Sequence, residues 1–125
     1  MINTDQDTVS LEIWHKRFNL DGKDNLAQLP SLKAIYAVFG IVDKDPVNCR
    51  FVGEAEHLGN ALRYLFENAD DNGLKTFLQG PWIKVLKYRP MPDSTREERE
   101  QAVMEWKAKY VPGVDENGEY PGYGH

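Results

Sequence analysis

The sequence predicts an α/β architecture, an α+β sandwich in which a small central sheet of about three strands is flanked by helices. Three observations carry this. Ala34 to Val42 is almost wholly apolar with both strand faces filled, as a central strand covered on two sides requires. A second β-prone stretch returns after a short loop, and apolar residues at helical spacing follow it at once. A third β-prone run and another amphipathic helix complete the order arm, β, β, α, short α, β, α, tail.

Length and composition set the bounds. A chain of 125 residues fits one domain, 1–125, with an N-terminal arm (1–28), a core (29–112) and a C-terminal tail (113–125). No apolar run approaches the length of a bilayer span, so a soluble protein without membrane contact is expected. The opening MINTDQDTVS lacks the basic and then apolar order of a signal peptide, and the single cysteine, Cys49, has no intrachain partner for a disulfide. Both point to the cytoplasm, with Cys49 a small apolar strand residue.

Fifteen basic against twenty acidic residues give a net charge of −5, the wrong sign for a general nucleic-acid binder. The imbalance is regional. Ala34 to Gly73 holds three basic and seven acidic residues, whereas Pro81 to Tyr110 holds seven basic and five acidic. An anion-facing surface would therefore have to come from the second half.

In chain order, Val9, Leu11 and Ile13 alternate as in a short strand, yet Leu11, Trp14 and Phe18 also match a helical face. The arm reads as a strand or irregular segment packing Trp14 and Phe18 on the core. Asp21-Gly22 is a turn signal, and Asn25 to Leu29 has room for one helical turn before Pro30. Asp43 to Asn48 forms a loop between the first strand and Cys49 to Ala55, which pair antiparallel because the connection is short. Leu58, Leu62, Leu65 and Phe66 define a helix stopped by Asn68 to Gly73, and Leu74 to Gln79 forms a second helical piece. Trp82 to Arg89 is the third strand, broken by Pro90 and Pro92. Ser94 with Glu97, or Thr95 with Glu98, supplies a capping box for a last helix whose stripe is Ala102, Val103, Trp106 and Tyr110. The tail has too little aliphatic content for a core and either remains disordered or docks through Tyr120 and Tyr123.

Two tripeptides, Ala34-Ile35-Tyr36 and Phe51-Val52-Gly53, sit in the first two strands. With the continuous stretch FVGEAEHLGNALRYLF (Phe51 to Phe66), in which Gly53, Ala55, Leu58, Leu62 and Phe66 fall in register, and with Pro112 after the last helix, the chain resembles the GIY-YIG nuclease superfamily. In particular it is similar to the N-terminal incision domain of bacterial excision-repair nucleases, from Leu29 to Pro112. The resemblance implies phosphodiester hydrolysis, in which a tyrosine helps to activate water, an arginine stabilises charge on phosphate and a glutamate holds one divalent metal.

Carried across, these roles are largely vacated. The first tyrosine matches Tyr36. The second falls on Phe51, which has no hydroxyl; the arginine falls on Ala61; the metal-binding glutamate falls on Val103; and a lysine is replaced by Glu54. Arg63 and Glu105, two positions beyond, point about 200° around their helices and do not substitute. His57 and Tyr64 share a helical face with Ala61, and Glu100 shares one with Val103, so these three are the residues that could line a remodelled cleft.

Each candidate also has a plainer reading. Tyr36 reads more simply as a strand tyrosine packed on the third strand, His57 as a helix start, and Glu97, Glu98 and Glu100 as acids favouring a helix N-terminus. His15 and His125 stand alone, and no His or Cys pair has metal-ligand spacing. Lys84, Lys87, Arg89, Arg96 and Arg99 form a basic strip or, more plainly, a solvated strand face and helix start. The expectation is thus a catalytically degenerate GIY-YIG-like domain that binds a protein partner and needs no cofactor. The alternatives are a divergent endonuclease using Tyr36, His57, Glu100 and Mg²⁺ or Mn²⁺, and a non-catalytic nucleic-acid binder acting through the Lys84 to Arg99 strip.

Overall fold

A computed structural model describes residues 8–16, 21–42 and 45–110, and for 42 and 45–48 the backbone alone. The readings placed on residues 1–7, Phe18, Pro112, Tyr120, Tyr123 and His125 lie outside the described residues. The chain runs through β1 (Val9–Ile13), a 3-10 turn (Leu26–Gln28), β2 (Ala34–Val42), β3 (Asp45–Ala55), α1 (Leu58–Asn68), α2 (Asn72–Gln79), β4 (Lys84–Pro90) and α3 (Arg96–Lys109). Its four strands form one antiparallel sheet in the order β1-β4-β2-β3. The sheet gains one strand over the three expected, because Val9, Leu11 and Ile13 alternate against β4 instead of coiling with Trp14. Likewise β3 begins at Asp45, shortening the anticipated loop.

β2 lies between β3 and β4, so both of its edges are hydrogen-bonded, and its two faces meet different helices. Alternation sends Ala34, Tyr36 and Val38, with Leu86 and Tyr88 of β4, into a core shared with Leu58, Leu62, Leu65 and Phe66 of α1 and Leu78 of α2. Ile35, Ala37 and Phe39 join Val52 in a second core against Ala102, Trp106 and Tyr110 of α3. The apolar run predicted as a central strand is apolar because helices cover it on both sides.

One irregularity re-aims side chains. Val38 stands opposite Phe51 but Phe39 stands opposite Cys49, leaving Arg50 as the extra residue of a β-bulge. Arg50 and Phe51 consequently share the α1/α2 side: Arg50 lies 4.5 Å over the Phe77 ring of α2, and Phe51 packs on the first core. Cys49 stays on the α3 side.

Of the two capping boxes offered by the sequence, the Thr95 and Glu98 pair forms. The Glu98 amide donates to Thr95 Oγ1 (3.2 Å) and the Thr95 amide donates to Glu98 Oε1 (2.8 Å), which holds the Glu98 carboxyl below its ordinary range. Arg99, one residue on, fastens α3 to the end of β3 through Glu54. Asp71 caps α2 by accepting from the Leu74 amide at 2.7 Å. Among the described residues no helix is long and apolar enough to cross a membrane.

Candidate functional site

The β2/β3 register places Tyr36 directly opposite Gly53, and Phe51, two residues before Gly53, faces the same side. The two rings lie 5.9 Å apart, tilted by 31°. A Cβ at position 53 would stand 2.8 Å from Phe51 Cε2 and 3.1 Å from Tyr36 Oη, so the missing side chain of Gly53 is what gives the phenol room. α1 adds Ala61, Tyr64, Leu65 and Asn68, at the helical spacings three, four and seven from Ala61. Together with Leu74 of α2 they enclose a cleft of about 620 Å³.

The floor is apolar and the rim acidic. Glu54, Asp70 and Asp71 line the cleft, and among the described residues no Lys, Arg or His does so. Tyr36 is 4% exposed, and its hydroxyl makes no hydrogen bond among the described residues. Burial first, and then the negative charge of Glu54, push its pKa far above the ordinary phenol value. At neutral pH this phenol keeps its proton and is a poor general base. Glu54 is itself held from behind, 2.9 Å from Arg99 Nε and 3.7 Å from Arg96 Nε. Asp71 is engaged as the α2 cap, leaving Asp70 as the exposed carboxylate of the rim.

Of the residues singled out from sequence, the fold brings Tyr36 and Tyr64 together here. His57 and Glu100 are absent from the lining. His57 is the exposed N-cap residue of α1, and Glu100 is paired with Arg96 at 2.9 Å along α3. Phe51, Ala61 and Glu54, on which the resemblance places a tyrosine, an arginine and a lysine, do line the cleft, whereas Val103 packs in the α3 core on the other side of the sheet. The residues present therefore do not fit the divalent metal that the resemblance implies. Among the described residues no three His, Cys, Asp or Glu side chains converge as ligands.

The basic strip does not form as a single face. Lys84 is fully buried on the α1/α2 side, its Nζ donating to Gly80 O at 3.0 Å and lying 5.6 Å from the Phe77 ring. Lys87 and Arg89 point to the opposite side, over Tyr110 and Trp106. Arg96 and Arg99 are tied to Glu54 and Glu100. His15, read as isolated, is buried beside Phe66 with its Nε2 3.3 Å from Glu67.

Sequence reasoning treated Asn68, Asp70 and Asp71 only as a helix stop. No local signal relates a helix stop to a strand tyrosine thirty-odd positions earlier; the packing of α1 on β2 does. A further groove of about 670 Å³ lies beyond α2 with Phe77 and Trp82 in its wall. Its one charged residue, Arg50, is stacked on Phe77, so the hydroxyl and the acids converge only at the Tyr36 cleft.

Because the Tyr36 hydroxyl lacks a partner, Tyr36→Phe is expected to be neutral or stabilising by up to about 1 kcal/mol in a urea unfolding series. A loss above about 1 kcal/mol would instead show a hydroxyl engaged in the fold. The chain matches no family model, no curated protein and no solved structure.

Proposed function

We propose that this chain is a GIY-YIG-like domain that has lost its nuclease centre and binds a protein partner through the Tyr36 cleft. One observation supports the reading: a cavity lies beside Tyr36, the tyrosine that the resemblance matches, and a phenylalanine, an alanine and carboxylates are among the groups that line it. Among the described residues, a phosphodiester entering this cleft would meet Glu54, Asp70 and Asp71 and no Lys, Arg or His in the lining. Removing one transition-state electrostatic contact costs on the order of a hundred- to a thousandfold in rate, and here the arginine position and the metal-ligand position are both apolar. The same reading places the domain in the cytoplasm. That compartment suits a single, half-buried cysteine, Cys49, whose thiol burial pushes up to about 11.

The test is incubation of the full chain with supercoiled plasmid and Mg²⁺ or Mn²⁺. No nicking is expected. Metal-dependent nicking abolished by Tyr36→Phe and by Glu100→Gln would replace this reading with that of a divergent endonuclease.

A further inference from the structure

We infer that the Tyr36 cleft receives a basic side chain, with arginine the better fit, presented by the protein partner. The inference rests on the binding reading of the cleft and adds the chemistry of what binds. Three observations converge on it. The rim carries Asp70 and Asp71 beside Glu54, which Arg99 and Arg96 already pair from behind, and among the described residues no Lys, Arg or His lines the cleft, so the two aspartates set a field that attracts positive and repels negative charge. The floor, with Ala61, Leu65 and Leu74, is apolar and suits the aliphatic stem that arginine and lysine carry behind their charge. Between floor and rim stands Tyr36, a residue only 4% exposed, which lines the cleft and whose hydroxyl has no hydrogen-bond partner among the described residues.

That hydroxyl discriminates among occupants. A purely apolar side chain would cover it and leave its hydrogen-bonding capacity unused, which is costly in a desolvated site. A carboxylate or phosphate could accept from it but would stand among Glu54, Asp70 and Asp71. A guanidinium donates to the phenol oxygen and to carboxylates with one rigid fork, and the Phe51 and Tyr64 rings in the wall attract its positive charge. Its several donors match acceptors spread over two strands and a helix connection. Glu54 is positioned for this by Arg99 and Arg96, which hold it from the α3 side. Asp70, exposed and free of the capping duty that occupies Asp71, supplies the outer carboxylate.

The experiment is a ¹H–¹⁵N titration of the labelled full chain at low salt with the peptide Ac-Ala-Arg-Ala-NH₂, and in parallel with its citrulline counterpart, which keeps shape and loses charge. Saturable shifts are expected at the amides of Gly53, Ala61 and Leu65 with a millimolar Kd. Citrulline should bind at least about tenfold more weakly, a difference of the size that loss of a charge-assisted contact gives. Tyr36→Phe and Asp70→Asn should each weaken the arginine peptide about threefold or more while keeping a folded spectrum. Equal binding of both peptides, shifts that spare these amides, or no response overturns the inference. A thymidine dinucleotide with Mn²⁺, set against Mn²⁺ alone, forms the separate arm: broadening at the same three amides that requires the dinucleotide would overturn the binding-module reading itself. Failure of the arginine peptide without that broadening removes only the assignment of the ligand.

Discussion

Replacing Arg99 by leucine is expected to lower the unfolding free energy by about 3 kcal/mol, the cost of stripping one partner from a buried ion pair. Arg99 is 1% exposed, and its guanidinium is divided among three acceptors at 2.9–3.0 Å: Glu54 Oε2, Ser94 O and Ser94 Oγ. It thus joins the start of α3 to the end of β3 and satisfies a carbonyl just ahead of the helix. Leucine would leave that carbonyl and Glu54 without their donor. Glu54 keeps some access to water, with 21% of its side chain exposed, and retains Arg96 at 3.7 Å. These compensations hold the cost to the lower part of the range for broken buried pairs. Glu56, at 3.6 Å but 68% exposed, adds little. Urea unfolding measures the effect, and Arg99→Lys should fall between the wild type and leucine because it keeps the charge but loses the fork. A leucine cost below about 1 kcal/mol would show that the α3 core alone fixes the helix. The same variant frees Glu54 at the cleft rim, so stability and binding are linked through one side chain.

Where both strand faces and a helix pattern agree, the fold was legible from residue types. β2 occupies the residues expected, and the α1 stripe Leu58, Leu62, Leu65 and Phe66 is the buried stripe. β1 was ambiguous because Leu11 belongs to both an alternating and a helical pattern, and only pairing with β4 selects the first. The bulge at Arg50 was invisible, since nothing in CRF departs from an ordinary strand and yet the extra residue puts Arg50 on the same side as Phe51. The basic strip failed for a related reason. Charges on a strand read as solvated, but β4 is an interior strand covered on both sides, so its alternating lysines enter opposite cores.

The site was half legible. A tyrosine and a glycine facing each other across two strands could be inferred from the tripeptides, and Tyr64 from its spacing to Ala61. What the spacing could not convey is that α1 ends where β2 and β3 expose that tyrosine, bringing Asp70 and Asp71 to it. Glu54 illustrates the point from the other side. Against the resemblance it stands only as a charge reversal, whereas in the fold it has a buried partner, Arg99.

Lys84 gives a prediction in pH. Its side chain is fully buried and its ammonium sits at the C-terminal end of α2, bound to Gly80 O, where the helix dipole favours a cation. Desolvation nevertheless outweighs that support and lowers the pKa from 10.5 to about 8. Between these two values the unfolded chain binds the proton that the folded chain has released, so stability rises with pH across the interval. Below pH 8 both states are charged and the burial penalty is present in full. Cys49 and Tyr36 act in the opposite direction at alkaline pH, because their folded pKa values are raised. Both remain in Lys84→Met, so the difference between the two proteins isolates the lysine. From pH 7.5 to 10, urea unfolding should show the wild type gaining about 2 kcal/mol relative to Lys84→Met. At neutral pH the methionine variant should lie within about 1 kcal/mol of the wild type, since loss of the Gly80 contact offsets relief of the buried charge. Parallel pH profiles would show that the ammonium reaches water, and that α2 is capped by a solvated lysine.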